Sequence, residues 1–396
     1  MAFRGSWAWI GILLAECMAI SAVAQIDTVK RQLLHLGYNA FFEGHAPIAA
    51  YAFYYFNRPE FYKEEFTLRM AIAPVYFDSE LGIAHALGPN TDLGFGVAGG
   101  GFANDYNEIR GGKYIPRESF DGHGGGATVS VYHRFNPRQR IPLFGVIRGG
   151  AHFVSYADTD DTAPGFEMPG DRGSADFRVG LRLGGKEPVL YPKVAMELAI
   201  WAESLNRGNS GSYGFNDDRE VNASSQLFYA HAFLAYTIDR GDNFSVSMTG
   251  GDSVNADRFS AYRLGGVLHL VAEYPLIIPG YYYQEISASR FLLFNGRYAV
   301  ALDEKKRWQL TAIAATAVVD YLESQEQSGN WHSGVGGGLI YHSPSEVWKV
   351  GLNYGFGIDA LRSSGRGAHV LSLAFQFDLE QYLNKRRSLP FWWEVR

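Results

Sequence analysis

The chain has 396 residues, of which 15% are aromatic and only 19% charged, with 46 glycines. Its net charge of −6, with only short basic runs such as Lys385-Arg386-Arg387, argues against a nucleic-acid partner. Beyond the N-terminus no apolar run approaches the ~20 residues of a transmembrane helix, which excludes a helical membrane protein.

Residues 1–24 carry Arg4, an apolar run from Trp7 interrupted by Glu16, and Ala22-Val23-Ala24 before Gln25. This is the pattern of an export signal with a small-x-small cleavage site. The single cysteine, Cys17, falls inside it, so the exported chain is expected to have no disulfides. Residues 25–65 place apolar side chains at helical spacing on either side of a break at Gly44 to Pro47. They predict a helical hairpin that packs against or plugs a barrel mouth and offers a surface to a periplasmic partner.

From Phe66 the pattern becomes strand after strand. The alternation predicts fourteen, within bounds of 12 to 16: 66–76, 78–87, 92–103, 124–135, 142–155, 174–184, 192–204, 223–238, 242–253, 291–302, 307–321, 331–343, 346–358 and 367–379. In WKVGLNYGFGI, Trp348, Val350, Leu352, Tyr354, Phe356 and Ile358 fall on one face, and Lys349, Gly351, Asn353, Gly355 and Gly357 on the other. Such a strand sets one face in lipid and the other in a wet lumen. The connections alternate between short, as at Pro89–Thr91 and Asp303–Lys306, and long, as at 104–123 and 254–290. Short periplasmic turns alternating with long outer loops are the bacterial outer-membrane rhythm. The predicted fold is therefore an all-β transmembrane antiparallel barrel over 66–379, with a C-terminal tail over 380–396.

The parity places Arg69, Arg148, Arg178, Arg182, Glu197, Glu203, Arg297 and Lys349 in the lumen, where opposite charges brace the wall or set the selectivity of a pore. Enzyme chemistry finds little support. His332 and His342 share a strand but stand ten residues apart, or ~33 Å, too far to share a metal. Parity turns His342 into the lumen, whereas lipid hydrolysis at the wall needs a histidine facing out. Asp158, Asp160 and Asp161 are oxygen donors of the kind calcium takes, but acids in an outer loop are ordinarily solvated. No phosphate loop or zinc signature occurs, so the expectation is no catalytic residue, no metal and no cofactor.

The long link at 254–290 carries AYRLGG (261–266) and PGYYY (279–283), and five alternating strands follow, among them GVGGGLIY, WKVGLNYGFG and LSLAFQFDL. Over roughly residues 243–382 the chain resembles the C-terminal half of the BamA/TamA-type surface-antigen superfamily, the bacterial outer-membrane assembly barrels. Their sixth outer loop holds an aromatic-x-x-Gly-Gly segment and an Arg-Gly-aromatic tip, matched here by Gly265, Gly266, Gly280 and Tyr281. The resemblance implies that Asp320 in AVVDYL is the wall aspartate that receives the loop tip. Pro279 stands where the family has its arginine, so Arg263 or Arg290 would have to reach Asp320 instead; otherwise Asp320 is one more lumen carboxylate. Phe375 and Phe377 would serve as the assembly signal read by the outer-membrane assembly machinery. No tandem periplasmic receptor (POTRA) modules precede the barrel in this sequence. The resemblance implies export or insertion of protein or lipid at the outer membrane of a Gram-negative-type bacterium, with outer-membrane lipid as a partner. A passive pore for small solutes is the alternative, and a lipid-modifying barrel enzyme a second.

Overall fold

A computed structural model describes residues 29–102, 104–270 and 272–387. The expected signal segment and Cys17 lie outside these residues, as does most of the C-terminal tail. One sheet closes on itself through sixteen antiparallel strands. The first five are β1 (Arg31–Phe41), β2 (Ala49–Pro59), β3 (Phe66–Ile72), β4 (Tyr76–Ile83) and β5 (Thr91–Gly100). Next come β6 (Asp121–Arg134), β7 (Leu143–Ala157), β8 (Arg172–Gly185), β9 (Ala195–Asn206), β10 (Ser224–Thr237) and β11 (Asn243–Val254). The wall is completed by β12 (Ile286–Ala301), β13 (Trp308–Tyr321), β14 (Trp331–His342), β15 (Trp348–Arg362) and β16 (Gly365–Asp378). A nine-residue helix, α1 (Leu379–Arg387), follows β16. Among the described residues no helix is long and apolar enough to cross a membrane.

The expected helical hairpin over 25–65 does not form. Residues 31–59 supply the first two barrel strands, which raises the count from fourteen to sixteen and leaves no free module there for a periplasmic partner. The reason lies inside the barrel. On β1, Leu34, Leu36 and Tyr38 face outward while Leu33, His35, Gly37 and Asn39 are buried inward, with His35 against the Phe53 ring at 4.9 Å. An apolar residue such as Leu33 is normally out of place in a lumen, but this stretch of inner wall is dry. Leucine on both faces erased the period of two and imitated a helix.

Closure occurs where β1 pairs with β16 through nine residue pairs, from Leu33↔Asp378 to Phe41↔Val370. The described residues begin and end on the same side as the short turns, and alternate residues along the strands turn apolar side chains outward, including Phe177, Val179, Leu181, Leu198, Ile200, Leu352, Tyr354 and Ile358. At the turn end, Trp308, Tyr341, Trp348 and Phe375 form a ladder of rings 4.6 to 6.3 Å apart. Phe377 packs on Tyr382 of α1 at 5.7 Å. Such a girdle suits the membrane–water boundary. Leu198→Arg, at the centre of the apolar band, is expected to cost ~2–4 kcal/mol. Urea titration of the heat-modifiable folded band on gels measures this, and an unchanged midpoint would put that face elsewhere than in lipid.

Candidate functional site: a doubly plugged lumen

The sixth outer loop, residues 255–285, turns inward. A three-residue strand, Tyr262–Leu264, pairs with the start of β12, so the loop leaves the wall along its own neighbour. Gly265 and Gly266, with φ of +132° and +73°, then bend it back into the lumen. Leu264, Ile278, Tyr281 and Ile286 form the centre of a core shared with Phe291, Leu293, Ala317 and Val319 of the wall.

At the tip, Pro279 and Gly280 lie directly on the wall backbone. Gly280 has φ +84°, and a Cβ there would overlap Gly357 of β15; Gly334 of β14 is equally bare beneath Pro279. Gly334, Gly355 and Gly357 are thus the footprint of the loop tip. The Tyr281 hydroxyl meets His332 Nδ1 at 3.1 Å, and His332 Nε2 meets the Tyr321 hydroxyl at 2.6 Å. Charge closes the contact. Arg362 of β15 donates to both oxygens of Glu285, at 2.9 and 3.0 Å, and to the Gly280 carbonyl at 3.2 Å. Its guanidinium lies 3.7 Å from the centre of the Tyr282 ring. Side-chain exposure is 1% for Arg362 and 0% for Glu285. Tyr282 donates onward to the Glu43 carbonyl in the first outer loop at 2.6 Å.

This arrangement corrects the expected contact with Asp320. Arg290 does come within 3.6 Å of Asp320, but the two are 63% and 62% exposed on the outer face, and Arg290 is also held by Asp252 at 3.0 Å. Asp320 shares its face with Leu310 and lies outside the lumen. Arg263 donates to the carbonyls of Asn107 and Gln284 instead. The loop-to-wall ion pair exists with reversed polarity: the cation stands on the wall and the carboxylate on the loop.

Deeper down, Glu273 of the loop accepts from Arg178 at 3.2 Å and Arg182 at 3.4 Å, both on β8, while Arg182 also holds Glu197 at 2.7 Å. Arg178 lies 3.6 Å from Glu203. Arg69 binds Asp78 and Glu80 at 3.2 and 3.3 Å, and Arg148 donates to Ser130 at 2.8 Å and Tyr132 at 2.9 Å. Ala199, 3% exposed, packs with Trp201 and the loop's Tyr274. The inner face is therefore largely covered, and a lumen position next to the loop is no wetter than a protein core.

The turn between β8 and β9, residues 186–194, stands at the end of the barrel that carries the short connections. It folds inward and crosses the lumen to the opposite wall. Glu187 pairs with Arg31 of β1 at 2.7 Å, the Leu190 amide donates to Gln376 of β16 at 2.7 Å, and Lys349 of β15 donates to the Leu190 carbonyl. Tyr191 inserts over Gly351, accepts from Asn353 at 3.5 Å and lies 4.8 Å beneath the Arg297 guanidinium. Its ring meets His269 of the sixth loop at 5.6 Å. The outer plug and the turn-side plug thus touch mid-lumen, and the turn braces the strands that close the barrel.

Over the outer mouth, loops 101–120, 158–171 and 207–223 share an aromatic core of Tyr106, Phe120, Phe166 and Tyr213. Glu108 sits among Arg110 at 3.1 Å, Arg258 at 3.4 Å and Arg219 at 3.6 Å. Burial would push this carboxyl up, but the Arg219 and Arg258 guanidiniums hold it below the usual carboxylate range. Among the described residues no three metal-binding side chains converge.

No family model and no functionally characterised protein matches the chain by sequence. Solved structures do match by fold. CdiB from Acinetobacter baumannii superposes with a TM-score of 0.56 at 9% identity, over 91% of this chain and 64% of its own. CdiB from Escherichia coli gives 0.54 at 12% identity, over 88% of this chain and 63% of its own. The chain therefore spans just under two thirds of the CdiB chains. BamA from Haemophilus ducreyi lacking POTRA domains 1–3 gives 0.54 at 8% identity, over 88% of this chain and 71% of its own. Among the described residues no receptor module accompanies the barrel, and its fold is that of the BamA and CdiB barrels.

Proposed function

We propose that this chain works in the outer membrane of a Gram-negative-type bacterium, in export or insertion of protein or lipid, as a gated conduit and not as an enzyme. The observation that carries this is the sixth loop, seated in the lumen and locked to β15 by the buried Arg362–Glu285 pair. A pore for passive diffusion has no use for a loop that fills its lumen and a turn that meets it from the other side. Lipid surrounds the apolar band, and the outward Phe375 and Phe377 fit the role of an assembly signal for the barrel's own insertion. If traffic requires the wall to part, the nine-pair seam between β1 and β16 is the place, because it alone joins strands distant in sequence.

A disulfide across the seam tests this. Tyr38 and Leu373 are partners on the lipid side of β1 and β16. A Tyr38→Cys/Leu373→Cys chain, oxidised in cells, is expected to reproduce the outer-membrane protein and lipid changes of a null strain, read by quantitative mass spectrometry, and a reductant should restore them. If the locked chain supports a normal outer membrane while solute uptake depends on it, the passive pore is the better account.

A further inference from the structure

β3 and β4 are only seven and eight residues long and are joined by three residues, 73–75. Their hairpin stops short of its neighbours. β2 pairs with β3 only from Tyr54 to Pro59, whereas its pairing with β1 continues outward to Ala49. Residues 49–53 therefore present an edge with no ladder partner on the β3 side, ~17 Å of strand at the usual rise. Unpaired backbone at membrane depth is tolerated only where protein covers it or where it borders a wet cavity. Here the wall has a notch in its outer half.

Beside the notch is a chamber of about 680 Å³ between the sixth loop and the wall. Its lining starts at Tyr76, the crest of the short hairpin, passes the small residues Ala98, Gly99 and Gly124, and reaches Arg172 and Arg263. Most charges in the chamber are matched: His152 with Asp176, Glu203 with Arg178, Arg207 with Asp257, Arg258 with Glu108. Arg172 and Arg263 hydrogen-bond only to backbone carbonyls. The one opposing carboxylate, Asp105, is occupied with the Gly122 amide. The outer rim of the notch is apolar, with Ile48, Ile72, Val75 and Phe102 exposed. A chamber with two cations that pair with no carboxylate, beside a notch with an apolar rim, fits a molecule with a negative head and a hydrocarbon tail. Its size is that of an ordinary ligand pocket.

We infer that the chamber binds an anionic amphiphile, its phosphate-class head group at Arg172 and Arg263 and its acyl chain leaving through the notch above β3 and β4. This site lies beyond the export function proposed above and does not involve the seam, so a seam-locked chain should bind in the same way.

The test uses the full chain in maltoside micelles with fluorescent lyso-phosphatidylglycerol, its phosphatidylcholine counterpart, and glycerol phosphate as competitor. We expect saturable binding of the anionic lipid, weakened about tenfold or more in R172Q/R263Q as charge-assisted hydrogen bonds are lost. Ala98→Trp, which fills the chamber, should abolish it while the folded band on gels persists. Equal binding by both variants would show a lipid belonging to the detergent belt and overturn the site. Equal binding of the choline lipid, which carries the same phosphate but no net charge, would overturn the preference for an anionic molecule. Competition by glycerol phosphate at the lipid's own potency would overturn the notch, because the tail would then contribute nothing.

Discussion

Arg362→Ala is expected to destabilise the barrel by ~3–5 kcal/mol, the usual consequence of stranding one member of a buried pair. Glu285 would be left enclosed without its two hydrogen bonds from Arg362, keeping only the one from the Tyr282 amide, and the Gly280 carbonyl would lose a donor. Glu285→Ala should cost a similar amount, and the double alanine chain little more than either, because both lose the same contact. The exchanged pair, Arg362→Glu with Glu285→Arg, should recover part of the loss. Urea titration of the folded band gives the energies. Limited proteolysis of intact proteoliposomes gives the mechanism: the sixth loop should become cleavable in each single mutant, since this pair, Tyr282 and the Gly280 backbone form one assembly. Strictly additive single mutants, or a loop as protected as in the parent, would show that the pair does not hold it.

The second large effect concerns conductance. Loop 255–285 and turn 186–194 obstruct the lumen in series, touching at His269 and Tyr191. Replacing 261–283 by a short Gly-Ser link should therefore raise planar-bilayer conductance only slightly, because the turn still spans the barrel. Replacing 187–192 alone should do equally little. Removing both should give large, stable steps, as an emptied barrel of this strand number is wide enough for an aqueous channel. Full opening on removal of the loop alone would mean that the turn is no barrier. The turn replacement should also weaken the seam, since Glu187 holds Arg31 and Leu190 holds both Gln376 and Lys349, on the three strands around it.

These two sites differ in how far they could be seen from the chain. The loop's motif residues were visible in the chain: Gly265, Gly266, Gly280 and Tyr281, of which the Gly266 amide donates to the Tyr281 carbonyl at 3.1 Å. Their partners were not. Arg362 is inward only because the β15–β16 register shifts between Gly357 and Leu361. Counting by twos from Trp348 puts residue 362 on the lipid side, and one bulge reverses that. Glu285 belongs to a loop, where no period exists to assign it a face. Asp320 was the opposite case, since its shared parity with Leu310 already placed it outside.

Alternation of apolar and small or polar residues by itself determined an all-β barrel, the faces of most strands after Phe66, and which ends carry turns and which carry loops. That pattern is local, repeats every two residues and needs no partner to be read. Only the tertiary structure decided that β1 and β2 are wall, that the turn 186–194 crosses the lumen, and that the ion pair runs from wall to loop. Each of these depends on what covers the inner face. Where a plug lies against the wall, as at Leu33 and Ala199, the lumen becomes a dry core, and the rule that separates inside from outside in a water-filled barrel no longer applies.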